Sequence, residues 1–236
     1  MTKQGSKRYT KALELVDKSK YYSLKSAVEV LNKFPKAKFN ETVEVAFKLG
    51  IDPKQSDQMV RGTVPLPHGS GKTVRVLVFA RPGNSADAAK SAGAEYVGYE
   101  DLIKKCVEGW NDFDIAIATP EAMIEVRKLG KVLGPRGLMP NPKTGTVTDD
   151  TAKAVKEFKA GRVEFKIDKA GNVHVPIGKV SFKPAEIADN ARAVIEAVAK
   201  AKPSSAKGTF ITSCTLSATM SPAVRVDIRE FLAAAA

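Results

Sequence analysis

The sequence predicts two folds in one chain, an α+β domain made from both chain ends and an α/β domain inserted between them. Three observations carry this. Strands near both ends alternate apolar and polar residues, as half-buried strands do. In the middle, VRVLVFA (74–80) and FDIAIAT (113–119) are continuous apolar runs, the pattern of a parallel sheet covered on both faces. Stretches rich in glycine or proline at 62–71 and 159–161 mark the change of style, and surface loops of this kind tolerate an insertion. The expected boundaries are 1–67 with 160–236 for the discontinuous terminal domain and 68–159 for the insertion.

The elements follow in order. Ser23 is suited to cap a helix whose apolar positions Leu24, Ala27, Val28 and Leu31 share one face. That helix ends near Pro35. FNETVEVAFKLG is a half-buried strand with Val43, Val45, Phe47 and Leu49 inward and Thr42 and Glu44 outward. Between the two apolar runs, the chain reads as helix, short extended piece and helix, which is βαβ grammar. KVLGPRGLMPNPKTGTVT (131–148) has no helical or strand period and is expected as an ordered loop fixed by its prolines and glycines. A helix over 149–161 follows. Then Val163, Phe165 and Ile167 alternate, DKAGN turns the chain, and VHVPIGKV completes a hairpin. A helix from Pro184 to Ala201 buries Ile187, Ala191, Val194, Ile195 and Val198. The last strand is GTFITSCTLSATM. Its apolar face is Phe210, Thr212, Cys214, Leu216, Ala218 and Met220, and its other face is Thr209, Ile211, Ser213, Thr215, Ser217 and Thr219.

With 38 basic and 26 acidic residues the net charge is +12, which favours a polyanionic partner. The terminal segments 1–67 and 160–236 carry +6 and +4 of it, and 68–159 only +2, so a polyanion should bind mainly the terminal domain. Two cysteines are too few for a disulfide scaffold and fit a reducing compartment. The start MTKQGSKRYTK has no apolar signal core, and no apolar run reaches the roughly 20 residues of a membrane span. Basic residues form no polybasic tract beside an apolar face. A cytoplasmic location without a membrane partner is expected.

Catalytic constellations are missing from the sequence. His68 and His174 do not stand at metal-ligand spacing, and no HExxH, CxxC or GxSxG occurs. No metal, no cofactor and no enzyme activity are expected. His174 reads as a surface strand residue and Cys106 as a small buried hydrophobe. HGSGKT (68–73) resembles a phosphate loop, yet Leu66 stands where its first glycine belongs and a strand follows where a helix must begin. A nucleotide-binding protein using the α/β domain is therefore the runner-up reading, with a nonspecific nucleic-acid coat protein third.

The polar strand faces point to RNA. Solvated faces in basic proteins carry Lys, Arg or Glu, but the last strand offers a row of short hydroxyls. Such groups let a phosphate backbone approach and bond phosphates and 2′-OH groups. In KFPKAKFN (33–40) lysines interleave with Phe34 and Phe39. Phe34 is expected in the core, and Phe39 exposed for packing on a sugar or base.

GPRGLMPNPK, with GRVEFKIDKAGNVHVPIGKVSF and TLSATM, resembles the large-subunit ribosomal protein L-one family in its bacterial form, over essentially the whole chain. The resemblance implies a terminal domain and an inserted, three-layer, Rossmann-like domain. It implies binding to a helical junction of 23S-type ribosomal RNA, forming the stalk beside the transfer-RNA exit site. It further implies help in releasing deacylated tRNA, and translational repression through a similar fold in the protein's own mRNA. The family's RNA contacts, carried over by motif, implicate Lys36, Lys38, Phe39, Thr42 and Glu44, then Asp168, Lys169 and Gly171 in the DKAG turn, then Ser213, Thr219 and Met220. The family usually has glycine after Thr-Met. Here Ser221 follows, and without glycine's freedom at positive φ it is expected to hold that turn less comfortably or to alter the contact. Arg136 and Lys143 are named as a secondary RNA contact. The expected partners are ribosomal RNA, exit-site tRNA, the protein's own mRNA and the ribosome, with a monomer when free.

Overall fold

The computed structural model describes residues 5–234. In chain order the helices are α1 (Lys7–Glu14), α2 (Leu24–Asn32), α3 (Asn84–Ser91), α4 (Glu100–Val107), α5 (Met123–Val126), α6 (Gly130–Leu133), α7 (Thr151–Ala160), α8 (Pro184–Lys200) and α9 (Arg229–Ala234). The strands are β1 (Thr42–Leu49), β2 (Arg61–Pro65), β3 (Val76–Phe79), β4 (Tyr96–Gly98), β5 (Ile115–Ala118), β6 (Arg162–Lys166), β7 (Asn172–Lys179), β8 (Ile211–Ala218) and β9 (Val224–Val226). The chain divides into two compact units: one runs to Gly71 and resumes at Val163, and the other spans Lys72–Arg162.

The unit built from both ends holds an antiparallel sheet in the order β7-β1-β8-β9. β1 alternates as its sequence requires. Val43, Val45, Phe47 and Leu49 are buried, each at 2% exposure or less. They share one core with the apolar stripes of α2 and α8, and each such side chain contributes roughly 1.5–3 kcal/mol. Ser23 caps α2 by accepting from the Ser26 N–H, and Leu24, Ala27, Val28 and Leu31 face inward. Pro184 opens α8, and Ile187, Ala191, Val194, Ile195 and Val198 are all buried.

Two expectations fail here. The stretch after Gly161 is not a simple hairpin. β6 pairs with β2 in a separate two-stranded sheet, while β7 joins β1, and around the turn they are linked by an isolated bridge, Ile167 to Val173, and by the bonds between Asp168 and Asn172. The last strand also breaks its alternation. Lys48 lies opposite Ser213 but Leu49 opposite Ile211, so Thr212 is the extra residue of a bulge. Ile211 is therefore buried and Thr212 exposed, the reverse of the expected faces. β8 ends at Ala218, and Met220, expected on the apolar face, turns out to solvent at 53% exposure.

The other unit is a parallel sheet, β4-β3-β5. Val76 and Val78 of β3 pack with α3 and α7, through Ala86, Ala89, Val155 and Phe158. Leu77 and Phe79 pack on the opposite face with Cys106, Val126, Leu129 and Leu133. Three layers result, and the continuous apolar runs are explained by burial on both faces. The segment 131–148 carries more regular structure than its composition predicts. It begins inside α6, makes a 3-10 turn at Pro142–Thr144, and Val147 bridges in parallel to Ala118. Gly137 and Gly145 supply positive φ, 72° and 68°. The order also rests on buried hydroxyls: Thr146 Oγ1 accepts from the Asn141 N–H at 2.7 Å and Thr144 Oγ1 donates to the Asn141 carbonyl at 3.0 Å.

Candidate nucleic-acid interface

Burying one face of the β7-β1-β8-β9 sheet leaves the other face with the polar residues. Strand register sets them side by side. Glu44 lies between Pro176 and Ser217, Ala46 between His174 and Thr215, and Lys48 between Asn172 and Ser213. Arg225 on β9 lies opposite Thr215. The hydroxyl row read from the sequence is thus present from Ser213 to Ser217. Small side chains in the middle keep the backbone approachable, and longer ones stand around them. Glu44 is half-buried and has no hydrogen-bond or ion-pair partner among the described residues, so its carboxylate is free to accept from a 2′-OH or a base amino group.

At one end of this face three segments are tied together. The Thr219 N–H donates to the Thr42 carbonyl at 3.1 Å. Thr219 Oγ1 accepts from the Thr42 N–H at 3.1 Å and lies 3.3 Å from the Thr42 carbonyl, to which it donates. Lys179 Nζ donates to Thr42 Oγ1 at 2.7 Å. Beside them Glu41 is 4% exposed. Its carboxylate accepts from the Ala37 N–H and the Met220 N–H, both at 2.9 Å, and pairs with Arg8 at 3.4 Å. One carboxylate therefore holds the lysine-bearing 36–39 segment against the 219–220 turn. Phe39 and Met220 stand out from that junction at 54% and 53% exposure. Lys36, Ala37, Phe39, Asn40, Glu41, Val180 and Ser181 line an open concavity of about 340 Å³. Lys36 and Lys38 are exposed there.

Ser221 fits its turn without strain. No residue other than glycine among those described has positive φ. The Ser221 hydroxyl accepts from the Ala218 N–H at 2.8 Å and its N–H donates to the Ala218 carbonyl at 3.0 Å. Serine here caps the strand end, where the sequence pointed to an uncomfortable replacement for glycine.

The DKAG turn closes the other end. Asp168 accepts from the Ala170 N–H at 2.8 Å and the Asn172 N–H at 2.7 Å. These bonds, the Asn172 backbone first, hold its carboxyl below the ordinary 3.8. Gly171 turns at φ 81° and Lys48 Nζ donates to the Ala170 carbonyl, which joins the turn to β1. Lys169 is exposed at the tip.

Every residue of the principal expected set therefore lies in the unit made from both ends, at the two ends of one sheet face or upon it. Arg136 is exposed on the Lys72–Arg162 unit, and the side chain of Lys143 lies outside the described residues. Glu41, Arg8, Lys179 and Arg225 were not singled out from the sequence. Glu41 stands within FNETVE, but nothing in a single sequence marks its partners, which come from 4 and 179 residues away.

Other features have structural explanations. Lys72 of HGSGKT donates to Asp114 at 2.7 Å, and the chain runs on into β3. Cys106 and Cys214 are buried, and desolvation pushes the Cys214 thiol up to about 12. His174 is exposed as expected. Among the described residues no group of three or more His, Cys, Asp or Glu is placed to hold a metal. No helix among them is long and apolar enough to cross a membrane.

Comparison with family models matches residues 31–222 to the Ribosomal protein L1p/L10e family, which covers most of the chain, including nearly all of the polar sheet face and both junctions at its ends. The chain belongs to the Ribosomal protein L1p/L10e family, whose members are structural RNA-binding proteins of the ribosome, and it binds ribosomal RNA.

Proposed function

We propose that the chain grips a helical junction of large-subunit ribosomal RNA with the polar face of the β7-β1-β8-β9 sheet, and that the Lys72–Arg162 unit is a domain inserted into this RNA-binding domain. The observation that carries the reading is the junction of Thr42, Glu41 and Thr219, which presents Phe39, Met220 and the lysines of 36–38 beside a row of small hydroxyls. Phosphate contacts come from Lys36, Lys38 and Lys169. Glu44, Ser213 and the backbone around Gly171 and Ser221 bond sugar hydroxyls and base edges. Thr42, Thr219 and Asp168 position these groups, since their own polar atoms are engaged within the protein. Arg136 and Lys143 add a secondary contact.

On this reading the protein stands beside the transfer-RNA exit site and aids release of deacylated tRNA. It binds a similar fold in its own mRNA as a repressor, acts in the cytoplasm and is a monomer when free. The family membership and the motifs it matches support this. Thr219→Val removes the acceptor of the Thr42 N–H. Loss of a hydrogen bond of this kind costs about 0.5–1.5 kcal/mol, so affinity for a ribosomal RNA stalk fragment should fall by up to roughly tenfold. Filter-binding titration measures it, and unchanged affinity would count against this site.

A further inference from the structure

The polar sheet face does not stop at the hydroxyl row. Register carries it one strand further, from Thr215 on β8 to Arg225 on β9. Beyond β9 lies the segment at Tyr22, whose N–H donates to the Arg225 carbonyl at 2.9 Å and which bridges in parallel to Val226. Val226 points into the core, and Tyr22 shares its side. Tyr21 therefore emerges on the side of Arg225. The Arg225 Cζ lies 6.0 Å from the centre of the Tyr21 ring, and that ring is 58% exposed. His174, Ala46, Thr215 and Arg225 thus form one row across four strands, about 14 Å from end to end at the usual strand spacing.

Charge marks the far end of that row. Nearby Arg229 is neutralised by a two-pronged pair with Asp227, at 3.0 and 2.8 Å. Arg225 has no carboxylate partner among the described residues, and its guanidinium lies over the Tyr21 ring. An exposed, uncompensated guanidinium against an exposed aromatic offers a plane for a base and a cation for its phosphate. Both residues lie outside 31–222, so the family match assigns them no role.

We propose that Tyr21 and Arg225 form a nucleotide subsite that extends the RNA interface across the sheet. It takes one unstacked nucleotide of the bound ribosomal RNA, with the base on the Tyr21–Arg225 pair, the phosphate at the guanidinium and the Thr215 hydroxyl beside the sugar. This rests on the RNA-binding role proposed for the sheet face.

The test is a filter-binding titration of the full chain with a stalk-junction fragment of large-subunit ribosomal RNA, at several salt concentrations. Arg225→Gln should weaken binding about fivefold or more and flatten the salt dependence of log affinity by about 0.7–0.9, the contribution of one phosphate contact. Arg225→Lys should keep the slope but lose affinity, because an ammonium offers no plane for stacking. Tyr21→Ala should lower affinity and leave the slope unchanged. Thr219→Val is the reference. If it loses affinity while the three subsite variants bind like the parent, the subsite is overturned and the sheet-face reading stands. If Thr219→Val also binds like the parent, both fall. A loss with Arg225→Gln at unchanged salt slope also overturns the subsite, since that is what a merely structural change gives.

Discussion

Glu41 shows how a single residue organises a binding surface that it does not itself present. At 4% exposure a carboxylate is costly unless it is paired and hydrogen-bonded. Glu41 meets that condition with two backbone N–H groups and Arg8. The groups that satisfy it are the frame of the site: the 36–39 segment, the 219–220 turn and α1. Glu41→Ala leaves two N–H donors and a guanidinium without their acceptor. A loss of about 1–3 kcal/mol in stability follows. RNA affinity should fall by more than the stability loss alone explains under native conditions, because Phe39 and Met220 lose their common anchor. Urea denaturation and RNA titration on the same variant measure the two effects. RNA affinity unchanged in a folded Glu41→Ala protein would show that the anchor does not position the site.

At the scale of elements, α8 carries a polar residue in the middle of its apolar face. Asn190 is fully buried. Its Oδ1 accepts from the His68 N–H at 3.0 Å, and its Nδ2 donates to the carbonyls of Gly69 at 3.0 Å and Ile177 at 2.7 Å. One side chain thus fastens the 68–69 segment and β7 to the helix. Asn190→Ala should cost about 2–4 kcal/mol, more than one bond's worth because two carbonyls and one N–H are left unpaired, and the loss appears as a lower urea midpoint. An unfolding free energy within about 0.5 kcal/mol of the parent would show that water replaces these bonds. Asn190 also marks where the sequence stops being informative. The stripe Ile187, Ala191, Val194, Ile195 and Val198 was legible because helix period reports which face is buried, as it does in α2, while β1 was legible from its alternation and β3 and β5 from their continuous apolar runs. Period does not report partners. The pairing of β6 with β2, the three-residue β9 and the bulge at Thr212 depend on chain segments far apart in sequence. So does the Glu41 junction. The candidate site was legible where it coincided with a strand face, as at Thr42, Glu44 and Ser213, and illegible where side chains from separate elements complete it, as at Arg8, Lys179 and Arg225.

For the whole molecule, the distribution of charge and of buried clusters makes a separable prediction. The unit formed by both ends has its own core, running through α2, α8 and the β7-β1-β8-β9 sheet. The Lys72–Arg162 unit has two further apolar clusters, one on each face of its parallel sheet. Among the described residues the three clusters share no buried side chain. The principal proposed RNA contacts all belong to the first unit, along with +9 of the +12 net charge. Replacing 72–162 by a short glycine-serine linker should therefore leave a folded protein that binds the stalk fragment within about tenfold of the full chain, a difference of about 1.4 kcal/mol. The excised 72–162 segment should fold cooperatively by itself and bind the same RNA far more weakly, since its net charge is only +3 and electrostatic attraction to phosphate scales with the charges brought to it. Footprinting both pieces against the full chain locates any contribution from Arg136. If the linker variant folds but loses more than a hundredfold in affinity, the interface is not confined to the sheet face, and the Lys72–Arg162 unit holds a principal share of it.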